Sequence, residues 1–203
     1  MFPPEHIGSE ATISLLHMMK YAIRNHIRSI LQEISPNDRR LRENRLLEHI
    51  QQLVVEKKIQ QVAVYYPIHF EPDLDWGLIT VDLFFPKLSA KGMVFVKARK
   101  KDCVRRDGVL VPEPRWDRPV LDYSLNTLMI VPGLAFNVQG YRVGYGKGFY
   151  DQFLSHVDRR HMQVFGVAFE EQLVAFDPEG HDVQLDALLV ADAVATKILY
   201  PGV

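Results

Sequence analysis

The 203-residue chain has a single cysteine, Cys103. That excludes an internal disulfide and any metal site built from several thiolates, and it fits a reducing compartment. Charge of neither sign is in excess: 24 Lys and Arg against 25 Asp and Glu leave a formal net charge of −1. A general nucleic-acid or anionic-membrane binder carries a basic surplus, so neither partner is expected. No apolar run exceeds five residues, reached at 62–66 and 187–191; a membrane-spanning helix needs ~20. The first positive charge is Lys20, and His17 interrupts the apolar stretch before it. A signal peptide needs a charged start and a clean apolar run, so a cytoplasmic location is expected. Repeats, low-complexity tracts and Gly/Ser linkers are also missing. What is present is 47% apolar residues, enough for the core of one domain spanning 1–203.

Two helices are expected first. One runs over about 9–33, with Ile13, Leu16, Ile23, Ile27, Ile30 and Leu31 near one face. Ser35-Pro36 ends it and opens the second, where Ser35 caps, Pro36 takes the first helical position and Asp38 adds negative charge to the first turn. The second helix continues to about residue 58, striped by Leu46, Leu47, Ile50, Leu53 and Val54. Strands are then expected at 61–66, 93–97, 127–131, 164–169 and 188–190, with a short edge strand at 109–111. Helices are expected at 74–88, disturbed at its end by Pro86, and at 150–156. This alternation predicts an α/β fold: a mostly parallel sheet with flanking helices, Rossmann-like and three-layered, preceded by two N-terminal helices. Ligands of such sheets bind beyond the carboxyl ends of the strands.

Five of the twelve glycines fall between Gly133 and Gly148. Gly144, Gly146 and Gly148 alternate, leaving backbone N–H groups uncovered. Arg142 and Lys147 add fixed cations, and a helix beginning just after turns its positive end to the loop. These parts together suit an anion, phosphate above all. The spacing is neither that of a P-loop, because Gly148 falls where Ser or Thr would ligate Mg²⁺, nor G-x-G-x-x-G. A surface loop with incidental charge remains the alternative.

Residues 132–154 (PGLAFNVQGYRVGYGKGFYDQFL) resemble the signature of the 5-formyltetrahydrofolate cyclo-ligase family. The likeness extends to Lys20, Arg24 and Arg28 (K-x-x-x-R-x-x-x-R), to the strand-then-Glu segment from Tyr65 to Glu71, to Glu113-Pro114, to Phe169–Leu173, and to the stretch from Pro178 to Asp182. The resemblance implies cyclisation of 5-formyltetrahydrofolate to 5,10-methenyltetrahydrofolate, with ATP as co-substrate and Mg²⁺ required. It implies that Lys20 and Arg24 hold the ATP phosphates, together with Arg142, Gly144, Tyr145, Gly146, Lys147, Gly148, Phe149 and Tyr150. Lys147 and Arg142 would be the catalytic cations. Tyr66, Glu71, Tyr145 and Phe149 would contact the folate, Glu71 taking the paired N–H donors of the pterin. Asp151 and Asp182 would ligate Mg²⁺, a hard ion that takes oxygen ligands.

Bland readings stand beside these: a solvated basic face for Lys20 to Arg28, a loop carboxylate for Glu71, packing for Tyr66, Tyr145 or Phe149, a helix-start carboxylate for Asp151. His181 lacks a second His or Cys at ligand spacing, which argues against a transition metal. Three departures from the family pattern are visible. Asn137 stands for the usual Asp, Lys97 stands where a Pro commonly ends the strand, and the segment from 75 to 92 is long. Asn137 and Lys97 motivate one alternative, a divergent paralogue that binds folate or nucleotide without turnover; a second is an ATP-dependent ligase for another formyl or acyl substrate. The oligomeric state stays open, a monomer being compatible with every expectation above.

Overall fold

A computed structural model describes the backbone of residues 8–105 and 111–202, and side chains from residue 18 onward within those ranges. The edge strand expected at 109–111 falls largely outside the described residues, as do the side chains of Ile13 and Leu16. Helix α1 is Gly8–Glu33 and α2 is Pro36–Glu56. Between them Ser35 caps α2 as expected, its hydroxyl accepting from Asp38 N at 3.2 Å. Ile27 and Leu31 of α1 and Leu46, Leu47, Ile50, Leu53 and Val54 of α2 are buried. Each stripe therefore faces the core, at the helical period.

The strands that follow are β1 (Gln61–Ala63), β2 (Asp82–Ser89), β3 (Gly92–Lys97), β4 (Thr127–Val131), β5 (Ala135–Phe136), β6 (Arg142–Val143), β7 (Met162–Phe169), β8 (Ala187–Ala191) and β9 (Thr196–Leu199). Helix α3 (Phe149–Leu154) lies between β6 and β7. Seven strands form one sheet in the order β3-β2-β1-β4-β7-β8-β9, and β5 and β6 form a separate hairpin. Strands β2, β1, β4, β7 and β8 pair in parallel; the edges β3 and β9 pair antiparallel. Alternating side chains of the sheet feed two cores. Val62, Leu128, Ile130, Val167 and Leu189 join α1 and α2 on one face. Ala63, Met129, Val131, Ala168 and Leu188 join Leu154 of α3 and Phe136 of the hairpin on the other. The predicted three-layer arrangement follows.

The helix expected over 74–88 is not formed. Trp76–Leu78 makes one 3-10 turn, and the chain then enters β2. The apolar run Leu83-Phe84-Phe85 extends between β1 and β3, where both of its faces are covered, so burial overrides the helical spacing that begins at Leu74. Pro86 is tolerated because its partner Phe95 accepts from Leu121 N at 2.9 Å on the outer side. In this pair the ladder needs no N–H from Pro86. Two smaller differences concern length: β1 stops at Ala63 rather than at residue 66, and α3 is six residues long rather than reaching 156. The hairpin and β9 are elements beyond those expected.

In the sheet order β1 stands between β2, which follows it in sequence, and β4, from which the chain proceeds the other way. The carboxyl ends of β1 and β4 thus flank the point where the winding reverses, the usual ligand crevice of an open α/β sheet.

Candidate active site

Segments leaving β1 and β4 diverge at that reversal and leave a cleft of about 700 Å³. The residues after β1 run through Tyr66 and Ile68 to Glu71. Those after β4 turn through the β5–β6 hairpin into the glycine loop. Asn137 organises the hairpin: its Nδ2 donates to Phe176 O at 3.0 Å and its Oδ1 accepts from Tyr141 N at 2.9 Å. Buried Gln172 fastens the hairpin's root, donating to Gly133 O and Leu134 O at 2.8 and 3.2 Å. Gly146 and Gly148 take φ of +91° and +65°, which Cβ-bearing residues resist.

Every residue expected at the site lines this cleft: Lys20, Arg24, Tyr66, Glu71, Arg142, Gly144, Tyr145, Gly146, Lys147, Gly148, Phe149, Tyr150, Asp151 and Asp182. Arg24 Nε donates to Gly144 O at 2.8 Å and so ties α1 to the loop. Lys147 is exposed at the mouth and has no ion-pair partner among the described residues. Tyr145 crosses the cleft, its hydroxyl 3.2 Å from Ile68 O and its ring beneath the Arg28 guanidinium at 5.6 Å. Arg142 is buried, stacked on the Tyr150 ring at 5.3 Å and 2.9 Å from Asp151 Oδ2. That contact is off-line for a hydrogen bond, and Nε has no hydrogen-bond partner among the described residues. A buried guanidinium with donors to spare is one prepared for a further anion.

Two expected roles look different in place. Lys20 is not presented to open solvent: its Nζ lies 2.7 Å from Asp182 Oδ2 and 3.2 Å from Glu179 Oε2. Asp151 is committed to Arg142, and its Oδ1 receives the Val183 N–H at 3.4 Å. The segments of Asp151 and Asp182 therefore adjoin. Among the described residues, however, the ligand atoms that converge are those of Glu179, His181 and Asp182, all within 4.8 Å of one another.

Glu71 is a strongly perturbed carboxyl. Burial pushes its carboxyl up to about 8, against the opposing pull of the Ile68 N–H, 3.0 Å away, and of Arg142. Burial, and then the charge of Glu71, raise the phenols of Tyr145 and Tyr150 as well, so both stay neutral donors at physiological pH.

The sequence profile of the 5-formyltetrahydrofolate cyclo-ligase family matches residues 17–191. The chain belongs to the 5-formyltetrahydrofolate cyclo-ligase family. It is accordingly an enzyme of the ligase class. A probable 5-formyltetrahydrofolate cyclo-ligase of Caenorhabditis elegans is 24% identical over 195 residues, covering 87% of this chain and 95% of the relative. The 5-formyltetrahydrofolate cyclo-ligase of Mus musculus is 26% identical over 200 residues, covering 87% and 96%. The NMR structure of Aquifex aeolicus 5,10-methenyltetrahydrofolate synthetase superposes with a TM-score of 0.72 at 24% identity, covering 91% of this chain and 95% of that one. That likeness establishes the shared fold.

The cleft of this cyclo-ligase family member also contains residues that spacing alone did not single out. Lys87 and Glu113 are buried and 3.7 Å apart, Lys87 bonds to Pro114 O, and its ammonium sits 4.6 Å from the Trp116 ring centroid. Lys87 was hidden by reading residues 74–88 as a helix. As a strand, Leu83, Phe85 and Lys87 alternate onto one side, which is the signal that finds it. Glu179 was visible only as a member of the stretch that ends at Asp182. Among the described residues, no helix is long and apolar enough to cross a membrane.

Proposed function

We propose that the chain converts 5-formyltetrahydrofolate to 5,10-methenyltetrahydrofolate, consuming ATP with Mg²⁺ and releasing ADP and phosphate. What supports this reading is one cleft in which cations from α1, the uncovered loop backbone and a buried carboxylate meet. A formamide carbon is weakly electrophilic and its oxygen leaves poorly. In the proposed reaction the formyl oxygen attacks the γ-phosphorus, the bond to the β–γ bridging oxygen breaks, and ADP departs. N10 then attacks the activated carbon, the C–O bond breaks to release phosphate, and the N10 proton passes to solvent.

In this reading the protein positions two ligands and neutralises charge. Arg24, Lys20 and the N–H groups of Gly144 to Gly148 hold the triphosphate, and Arg142 and Lys147 face the transferring group. Glu71 holds the pterin, with Tyr66, Tyr145 and Phe149 against its ring. Asp182 and Asp151 offer carboxylate oxygens to Mg²⁺, which when bound neutralises charge on the phosphates. The orphaned Oε1 of buried Glu179 beside them fits a site that takes a cation.

Neither observation behind a non-catalytic paralogue touches this cleft. Asn137 is spent on the hairpin, and Lys97 is on the outer edge, 2.6 Å from Asp82. Incubating the chain with ATP, Mg²⁺ and 5-formyltetrahydrofolate should produce the methenyl absorbance with one ADP per product. Tight folate binding without ADP release would instead select the paralogue. ADP release only with another formyl or acyl compound would reassign the substrate.

A further inference from the structure

Lys20 is held in a way that its expected role does not explain. Its ammonium sits 2.7 and 3.0 Å from the two oxygens of Asp182 and 3.2 Å from Glu179 Oε2, inside the compact group of Glu179, His181 and Asp182. Both carboxylate side chains are at least nine-tenths buried, and Lys20 is buried with them. One oxygen of this group, Glu179 Oε1, has no hydrogen-bond partner among the described residues. A buried carboxylate oxygen left bare is costly unless something arrives to use it. His181, exposed on the far side, approaches Glu179 Oε2 at 3.2 Å. Two carboxylates and an imidazole in this arrangement suit a divalent cation, and the ammonium of Lys20 now rests against the same oxygens.

Resting on the ATP- and Mg²⁺-dependent reading above, we infer that Glu179 and His181 join Asp182 in the divalent-cation seat and that Lys20 fills it until nucleotide arrives. An ammonium and a divalent cation against the same oxygens repel each other strongly. Lys20 is a compact point charge on a flexible stem, and its helix neighbour Arg24, four residues on, is already fixed to the glycine loop at Gly144 O. A triphosphate on that loop gives Lys20 a second anionic partner within its swing. The ammonium then moves from carboxylate to phosphate, and the seat opens as the negative charge that needs a metal appears. Free metal is thereby kept out of the empty enzyme, and metal and nucleotide load together.

The test uses Mn²⁺ as the probe, with free ion counted by electron paramagnetic resonance on the full chain. For the parent chain, Mn²⁺ alone should bind weakly, and a non-hydrolysable ATP analogue should tighten it at least tenfold. Lys20→Met should bind Mn²⁺ alone at least tenfold more tightly than the parent, and the analogue should then add little. Glu179→Gln should lose Mn²⁺ whether or not the analogue is present. Should Lys20→Met be too unstable to titrate, Mn²⁺ must restore its melting temperature more than it raises the parent's, because the metal replaces the missing charge. Equal Mn²⁺ affinity in parent and Lys20→Met, or no loss in Glu179→Gln, overturns the inference. If the parent binds no nucleotide while Lys20→Met still gains Mn²⁺ through Glu179, the seat stands and the reading of the substrate falls.

Discussion

Glu71 shows how one side chain can be set by its surroundings. Its carboxyl ionises near 8 in the folded chain and near its ordinary 4.5 when unfolded. Between those values the unfolded chain has lost a proton that the folded chain keeps. Stability therefore falls as pH rises across that window, by up to ~1.4 kcal/mol per pH unit, and levels off above it. Glu71→Gln removes the titration and retains an oxygen for the Ile68 N–H. Calorimetry should find the variant melting above the parent at pH 8.5 and the two converging near pH 5; parallel curves would show that Glu71 ionises ordinarily. At this scale the sequence was informative where a residue type is needed for its charge. Arg142 and Lys147 could be named as cations from the loop of bare backbone they sit in, whereas Lys20, Arg24 and Glu71 came through the family resemblance. The sequence was uninformative about pairing, since the Lys20 contact with Asp182 spans 162 positions. Asn137 is the converse case. Standing where the family usually has Asp, it is an amide used for both its donor and its acceptor, and a carboxylate there could not give the bond to Phe176 O.

The elements that carry the site are held by close contacts a sequence does not display. β7 presents Gly166 where the hairpin lies on the sheet; a Cβ there would come within 2.7 Å of both Phe136 Cε1 and Leu188 Cδ2, and 3.0 Å of Leu185 Cδ1. Phe136 is fully buried and its backbone carries the hairpin from which the glycine loop starts. Gly166→Ala should therefore cost about 2 kcal/mol by overpacking, read from a lower urea midpoint. It should also raise the Michaelis constant for ATP, though Gly166 lines no part of the cleft. A shifted midpoint with ATP kinetics unchanged would mean the hairpin yields without moving the loop. Long elements with uniform patterns, such as α1, α2, β4 and β7, were legible because their apolar period is sustained. β5 and β6 have two residues each, too few for any period to register. Residues 74–88 misled because an apolar start at helical spacing ran into a strand buried on both faces, which carries Pro86 inside it and continues to Ser89.

Across the whole molecule, the switch point between β1 and β4 lets four remote segments share one space. Arg24 is bonded to Gly144, Tyr145 to Ile68, and Lys20 to Asp182, over separations of 120, 77 and 162 positions. The parallel-sheet class could be read from alternating elements, and the crevice at its strand ends followed from the class. That α1, which precedes the sheet, folds back across this crevice was expected only through the family resemblance, because nothing in a helix's own pattern says which rim it will meet. A nucleotide held by both rims should slow exchange on both. With a non-hydrolysable ATP analogue, amide hydrogen exchange should be retarded in peptides covering 20–28 and 142–151 together. Arg24→Ala, which cuts the Gly144 link at one bond, should remove protection from 20–28 first and raise the Michaelis constant for ATP roughly tenfold, the effect of about 1.4 kcal/mol, without lowering the melting temperature by more than a few degrees. Protection confined to 142–151 in the parent chain would detach α1 from the nucleotide and leave the glycine loop to bind it unaided.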